Sequence, residues 1–328
     1  MIEAKNIKKD YYIKSGKFFD RKKSVKEAVK NVNIKIEKGS IVGLLGINGA
    51  GKTTTIKMLT TMISPTSGTI EMDGLDIVKN HLEAKKRINI ITGGERNLYW
   101  RLTGQENLEY FGALYGINKC ELDKKIGEIL KIVDLYDAKD IPVEKYSKGM
   151  KQRLQIARGL INNPEYLFLD EPTLGLDVMI AKSVHNYIKK LAQEEKKGIL
   201  ITTHYIHEAE LLCDYVYVIN EGIIVAEGTP EEIKNLYTDK KTYQVIIEPA
   251  EKELVETFCN VKLDKCDVSY DEESLKLNIK TADLNITEIN KLFVDSDIDV
   301  NNIECKSISL EDALVEIIEG GKNNVMCN

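Results

Sequence analysis

The nine residues from Gly46 to Thr54, Gly-Ile-Asn-Gly-Ala-Gly-Lys-Thr-Thr, constrain this 328-residue chain more than any other stretch. Gly46, Gly51, Lys52 and Thr53 stand at the spacing of a phosphate-binding loop, with an apolar strand, Ile41 to Leu45, before it and a helix-like Thr54 to Thr61 after it. A triphosphate needs many donors in a small concave space. The glycines let backbone N–H groups point inward, Lys52 reaches the outer phosphates and the Thr53 hydroxyl reaches Mg²⁺. Asn48, Gly49, Ala50 and Thr54 complete the candidate binding set.

A second apolar run, Tyr166 to Leu169, ends in Asp170 and Glu171. A buried parallel strand would place both carboxylates at the carboxyl edge of an open α/β sheet, beside the phosphate loop, where ligands bind in such sheets. There Asp170 can hold Mg²⁺, directly or through water, and Glu171 can accept a proton from an attacking water. Gly198 to Thr203 repeats the design and ends in His204, a candidate γ-phosphate contact. Tyr11 and Tyr12 follow a first strand read as Ile2 to Ile7, and either could lay a flat ring on an adenine base.

From Leu102 to about Gly159 apolar residues recur at helical spacing, so a helical insertion is expected at about 95–160. Its last helix opens at Ser147, a suitable N-cap, before a stripe of Met150, Leu154, Ala157 and Ile161. The exposed start of that helix is rich in N–H donors and favours an anion. A hairpin around Asn220-Glu221-Gly222 and a capping box at Thr229-Pro230-Glu231-Glu232 follow.

Near residue 240 the pattern changes. Strands are expected at 243–248, 266–270, 275–280 and 299–306 and helices at 250–259 and 285–294, an order βαββαβ of ferredoxin-like type. A closing helix from the capping box at Ser309 carries Leu310, Leu314 and Ile317 on one face, read as core ahead of a dimer contact. The expected division is therefore a large α/β domain at 1–238 and a small α+β domain at 242–328.

Composition limits the function classes. With 43% hydrophobic and 30% charged residues the chain suits one large globular domain plus one small one. Six cysteines, at 120, 213, 259, 266, 305 and 327, form no Cys-x-x-Cys pair, and four histidines offer no metal-ligand spacing, which points to a reduced, zinc-free state. No basic-then-apolar leader and no 18-residue apolar window occur, so work at a membrane would need another chain to cross it. From residue 240 onward there are 10 basic against 19 acidic side chains, leaving a net +3 for the first 239 residues within a total of −6. That acidic tail argues against a nucleic-acid-binding role for its part of the chain, and no nucleic-acid partner is expected. The basic run Lys14, Lys17, Arg21, Lys22, Lys23, Lys26 and Lys30 reads as a solvated surface loop ahead of a contact with anionic lipid.

The phosphate loop, Ser147 to Met150, Asp170-Glu171, Leu174-Gly175-Leu176-Asp177 and His204 resemble, in order and spacing, the ATPase domain of ABC transporters. The resemblance covers residues 1 to about 237. It implies two such domains closing head to tail, with each ATP between the phosphate loop of one and the signature of the other, here Ser147 and Gly149. It also implies that Asp177 bridges the two sites and that Tyr11, by its spacing from Asn6, is the aromatic stacked on adenine. The Tyr-Ser-Lys-Gly-Met form, the run Tyr99 to Gly104 and the Ser-Leu-Glu-Asp start at 309–312 look like the antibiotic-resistance and sodium-export branch. In that branch a cytoplasmic subunit, peripheral on the inner face of the membrane, works as a homodimer or heterodimer with a transmembrane permease. Two positions depart from the pattern: Met150 replaces the signature glutamine, and Gly94 stands where the family places a glutamine touching Mg²⁺, with Glu95 beside it as a candidate substitute.

The leading expectation is thus a Mg²⁺-dependent ATPase subunit powering export. A soluble ABC ATPase acting on ribosomes or DNA would usually carry two phosphate loops or a long coiled coil, and neither occurs here. A small-molecule kinase or GTPase leaves Ser147 and His204 unexplained. A non-catalytic nucleotide sensor fits the missing glutamine but not Glu171.

Overall fold

The computed structural model describes residues 1–15, 22–92, 98–203, 205–236, 241–248, 252–263, 266–271, 274–281, 284–296 and 298–306. The chain divides into two compact units, Met1–Pro230 and Glu231–Asn328. The first begins with β1 (Ile2–Ser15), β2 (Lys22–Ile36), β3 (Ile41–Leu45), α1 (Lys52–Leu59), β4 (Ser67–Met72) and β5 (Leu75–Asp76). It continues with α2 (His81–Arg87), β6 (Ile88–Thr92) and three helices of the insertion, α3 (Gly104–Leu114), α4 (Lys119–Ile132) and α5 (Lys148–Leu160). Then come β7 (Tyr166–Asp170), α6 (Val178–Gln193), β8 (Gly198–Thr203), α7 (Ile206–Leu212), β9 (Tyr215–Asn220) and β10 (Ile223–Gly228).

The central sheet has the order β10-β9-β3-β8-β7-β6. Neighbours from β9 to β6 are parallel, and β10 joins as an antiparallel edge through a hairpin. Parallel strands are covered on both faces, which is why β3 and β8 are buried along their whole length and why their sequences show no polar alternation. Since β3, β7 and β8 run the same way, the phosphate loop, Asp170-Glu171 and the end of β8 leave the sheet at one edge. A second, antiparallel sheet, β2-β1-β4-β5, packs its Ile2, Ile7, Ile34 and Ile70 into one core with Ile56, Leu59, Tyr166 and Phe168. Each such buried side chain contributes about 1.5–3 kcal/mol.

The first strand does not stop at Ile7, and the basic run is no loop at its described positions. β1 reaches Ser15 and β2 starts at Lys22, with Tyr11 opposite Lys26 and Tyr12 opposite Val25. Register shifts at Ala4/Ile7, Ile7/Lys9 and Lys9/Asp10, and left-handed backbone at Asn6 and Asn31, break the two-residue alternation that would have marked both strands.

After α8 (Pro230–Leu236), whose first residue lies at the division, the second unit contains β11 (Lys241–Ile247), α9 (Lys252–Lys262), β12 (Asp267–Asp271), β13 (Lys276–Thr281), α10 (Ile286–Val294) and β14 (Val300–Lys306). Its all-antiparallel sheet runs β12-β13-β11-β14, the order of a split βαβ arrangement. Tyr243, Val245 and Ile247 of β11 and Leu277 and Ile279 of β13 point to the same face, where Phe258 of α9 and Phe293 of α10 cover them. The closing helix expected from Ser309 lies outside the described residues.

Candidate nucleotide site

Local sequence sets the shape of the loop between β3 and α1. Gly51 holds the N-cap of α1 at φ 118°, a backbone angle that L side chains rarely adopt. A Cβ at Gly46 would lie 2.2 Å from the Ile219 carbonyl oxygen, so only glycine fits that position. Lys52 Nζ donates to the carbonyls of Gly46 and, at 3.2 Å, Ile47. Its side chain is buried, which lowers its pKa, while Glu171 and then Asp170 pull it back upward. The Ala50 N–H donates within the loop to Ile47 at 3.2 Å, and its methyl group is buried beneath the loop.

Above the loop lies an open cavity of about 790 Å³. Asn48, Gly49, Gly51, Lys52, Thr53 and Thr54 form its floor, Tyr11 and Tyr12 one wall, and Glu171 reaches it from the end of β7. Asp170, next to Glu171, accepts the Thr202 hydroxyl on Oδ1 at 2.5 Å, a bond that orients its carboxylate. Glu171 itself adopts φ 51° and donates its N–H to the Thr202 carbonyl at 3.0 Å. The sequence did not single out Lys26 and Lys30 as cavity residues, although both line it with Glu27 and Ala28. Their place depends on the pairing of β1 with β2, which no local signal marks.

Ser147, Gly149 and Asp177 are not among the residues lining this cavity. The structure gathers them elsewhere. Ser147 caps α5 by accepting the Met150 N–H at 3.2 Å, and Asp177 caps α6 by accepting the Ile180 N–H at 2.9 Å. A Cβ on Gly149 would lie 2.4 Å from Ile180 Cδ1, so the first turns of the two helices pack directly. Beside them Leu174, Val178 and Met179 are exposed, the last two at 83% and 77%. His204, Gly94 and Glu95 lie outside the described residues.

Thr53 lines the cavity, and Asp170, at the end of β7 beside the lining residue Glu171, is not itself among the lining residues; together their oxygens suit Mg²⁺. That ion favours one or two protein oxygens plus phosphates and water, as Thr53 and Asp170 would offer, over an all-protein cage. Among the described residues no cluster of three or more His, Cys, Asp or Glu could form such a cage. No helix among them is long and apolar enough to cross a membrane.

A family model described as ABC transporter matches residues 29–174. The chain is 43% identical over 219 residues to the ABC transporter ATP-binding protein NatA of Bacillus subtilis, covering 67% of this chain and 88% of that one. It is 38% identical over 295 residues to the bacitracin transport ATP-binding protein BcrA of Bacillus licheniformis, covering 90% and 94%. A solved dimeric ATP-binding cassette, MJ0796 in a post-hydrolysis state with ADP and phosphate, matches with a TM-score of 0.61 at 27% identity over 70% of this chain and 98% of that one. A phosphate loop at the carboxyl edge of a parallel sheet, a helical insertion ending in the Ser147 segment, and these likenesses place the chain in one family: it belongs to the ATP-binding proteins of ABC transporters.

Proposed function

We propose that this chain is the Mg²⁺-dependent, ATP-hydrolysing subunit of an exporter. Two ATPase subunits, two copies of this chain or one with a related chain, close over two ATP molecules and drive a separate transmembrane permease from its cytoplasmic side. One observation carries the reading: the lining of the cavity with the phosphate loop, Tyr11 and Glu171 does not include Ser147, Gly149 or Asp177, which stand at the packed first turns of α5 and α6. Each surface is half of a site. The exposed Leu174, Val178 and Met179 beside the second half support a partner there, because contiguous apolar exposure is uncommon on a monomer.

In this reading the loop N–H groups and Lys52 hold the phosphates, Tyr11 stacks on adenine, and Glu171 orients the attacking water and takes its proton. Thr53 and Asp170, with Glu95 as a further candidate, would hold Mg²⁺, which supplies positive charge against the phosphate oxygens. The N-terminus of α5 in one subunit, at Ser147 and Gly149, faces the γ-phosphate bound by its partner. Asp177 links the two sites, and His204 contacts the γ-phosphate. Export is supported by the bacitracin-transport relative and by the resemblance of the signature and residues 309–312 to the export branch.

Mixing tests the shared site. Lys52→Ala should disable the loop half and Ser147→Arg the signature half, so each variant alone is inactive. In a twofold-symmetric mixed dimer one site carries both defects and the other carries neither. Random one-to-one exchange should return up to about a quarter of wild-type turnover, or nucleotide trapping at the intact site if the two sites are strictly coupled. Mixed dimers that form but show neither turnover nor trapping would refute the shared site.

A further inference from the structure

Three consecutive residues after β7 are each tied to a different element. Glu171 donates its N–H to Thr202 of β8 at 3.0 Å. The Pro172 carbonyl accepts Gln152 Nε2 of α5 at 2.6 Å, and the Thr173 hydroxyl donates to Glu208 Oε1 of α7 at 2.7 Å. The same Oε1 lies 2.9 Å from His185 Nε2 of α6, the helix that begins where this turn ends. Glu208 is thus bonded both to the turn and to the element that follows it. It is only 4% exposed.

A carboxylate withdrawn from water is costly, and an apolar side chain of the same size is often neutral or stabilising in its place. Packing alone therefore gives no reason for a glutamate here. Burial pushes its carboxyl up, but the hydrogen bonds at Oε1, that of His185 first, outweigh it and hold the carboxyl below the usual carboxylate range. Its Oε1 accepts the Thr173 hydroxyl and stands within hydrogen-bond distance of His185 Nε2, the contact a carboxylate acceptor makes with a ring N–H. Glu171 carries a left-handed φ of 51°, a conformation that stores strain in a non-glycine residue and that bonds around the turn help to hold.

We propose that Glu208, held by His185, is a positioning residue for hydrolysis: by anchoring Thr173 it fixes the turn that aims Glu171 into the nucleotide cavity. The inference rests on the reading of Glu171 as the base and deepens it. Gln152 of α5 holds the same turn through the Pro172 carbonyl, so losing one anchor shifts the turn without unfolding it.

The test uses the full chain with four single variants at these two positions, one double variant and Glu171→Gln, and measures thermal unfolding, ATP affinity and turnover. Glu208→Leu and Thr173→Val keep the volume and delete the bond. Both should fold and bind ATP as the wild type does, while kcat falls by about 10- to 100-fold, the loss expected when a reacting group is displaced by a fraction of an ångström to 1 Å. Glu208→Gln and Thr173→Ser keep an acceptor and a donor and should restore most of kcat. The double variant should be no slower than the slower single one, because both remove one interaction. Folded Thr173→Val with wild-type kcat, multiplying defects in the double variant, or lost ATP affinity with unchanged kcat would each overturn the proposal. If Glu208→Leu does not fold, Thr173→Val decides alone. Glu171→Gln in the same assay separates the two readings: an inert Glu171→Gln with a normal Thr173→Val overturns only the positioning role, whereas an active Glu171→Gln overturns the base assignment itself.

Discussion

Two glycines of the N-terminal unit differ in what a methyl group would meet, and the difference separates backbone strain from loop geometry. Gly74 closes the turn between β4 and β5 at φ 81°, with no atom within 4 Å of an added Cβ. Gly74→Ala therefore meets only the left-handed penalty, about 1–2 kcal/mol. At Gly46 the added Cβ would lie 2.2 Å from the Ile219 carbonyl oxygen and 3.2 Å from the Ala50 Cβ. Ile219 belongs to β9, whose neighbour Val218 pairs with Leu45, so the oxygen that must yield is anchored in the central sheet. Overpacking against a fixed neighbour adds about 1–3 kcal/mol, for a total of roughly 2–5 kcal/mol. With about 2–4 °C per kcal/mol for a unit of this size, Gly74→Ala should lower Tm by roughly 2–8 °C and Gly46→Ala by roughly 4–20 °C. Calorimetry with and without MgATP reads both consequences. Ligand at a hundred times Kd stabilises by about 2.7 kcal/mol, so wild type and Gly74→Ala should shift upward equally and Gly46→Ala should not. If Gly46→Ala is no less stable than Gly74→Ala, or gains the same shift, the loop is not locked against Ile219 and the steric argument fails.

Three further outcomes follow from the same geometry. Glu171→Gln should keep ATP binding and reduce turnover by about 10²-fold or more, and near-normal turnover would remove it as the base. Tyr11→Ala should weaken ATP binding by about 1–3 kcal/mol and Tyr12→Ala should leave it unchanged, so equal losses in a titration would refute Tyr11 as the adenine platform. Arg87 Nε and Nη2 grip Glu165 at 2.6 and 2.9 Å, and its hydrogen bond, against an upward push from burial and with help from Lys38, holds the Glu165 carboxyl at about 2. A carboxyl depressed in the folded state stabilises above its ordinary range and loses that contribution as pH falls toward the folded value. Arg87→Ala should therefore destabilise by about 1 kcal/mol at neutral pH, with the partly exposed pair screened by solvent, and the gap from wild type should close between about pH 4.5 and 2. A gap independent of pH in acid-unfolding curves would show that the pair contributes nothing.

What the sequence reveals about this molecule follows from how local each signal is. Between Ile41 and Leu59 the strand, the loop glycines and the helix are consecutive, so motif and periodicity agree and the structure follows both. The βαββαβ order of the second unit is legible for the same reason: each element carries its own alternation or helical stripe, and the sheet order β12-β13-β11-β14 is what that succession builds. β1 and β2 hide because three register shifts interrupt their alternation and lysines dilute their β-propensity, so Lys26 and Lys30 look like solvated loop residues while they line the nucleotide cavity. The Thr173–Glu208–His185 cluster hides more completely. Its members come from a turn and two helices, their spacings match no motif, and a histidine on a helix reads as ordinary packing. They meet only because β7, α6, β8 and α7 fold around one edge of the parallel sheet. Residues that touch a ligand sit in loops where short motifs can form, whereas residues that aim those loops are drawn from whatever packs behind them. A chain of this kind therefore shows its phosphate loop and its Asp170-Glu171 pair in the sequence, and the side chains that brace Glu171 only in the fold.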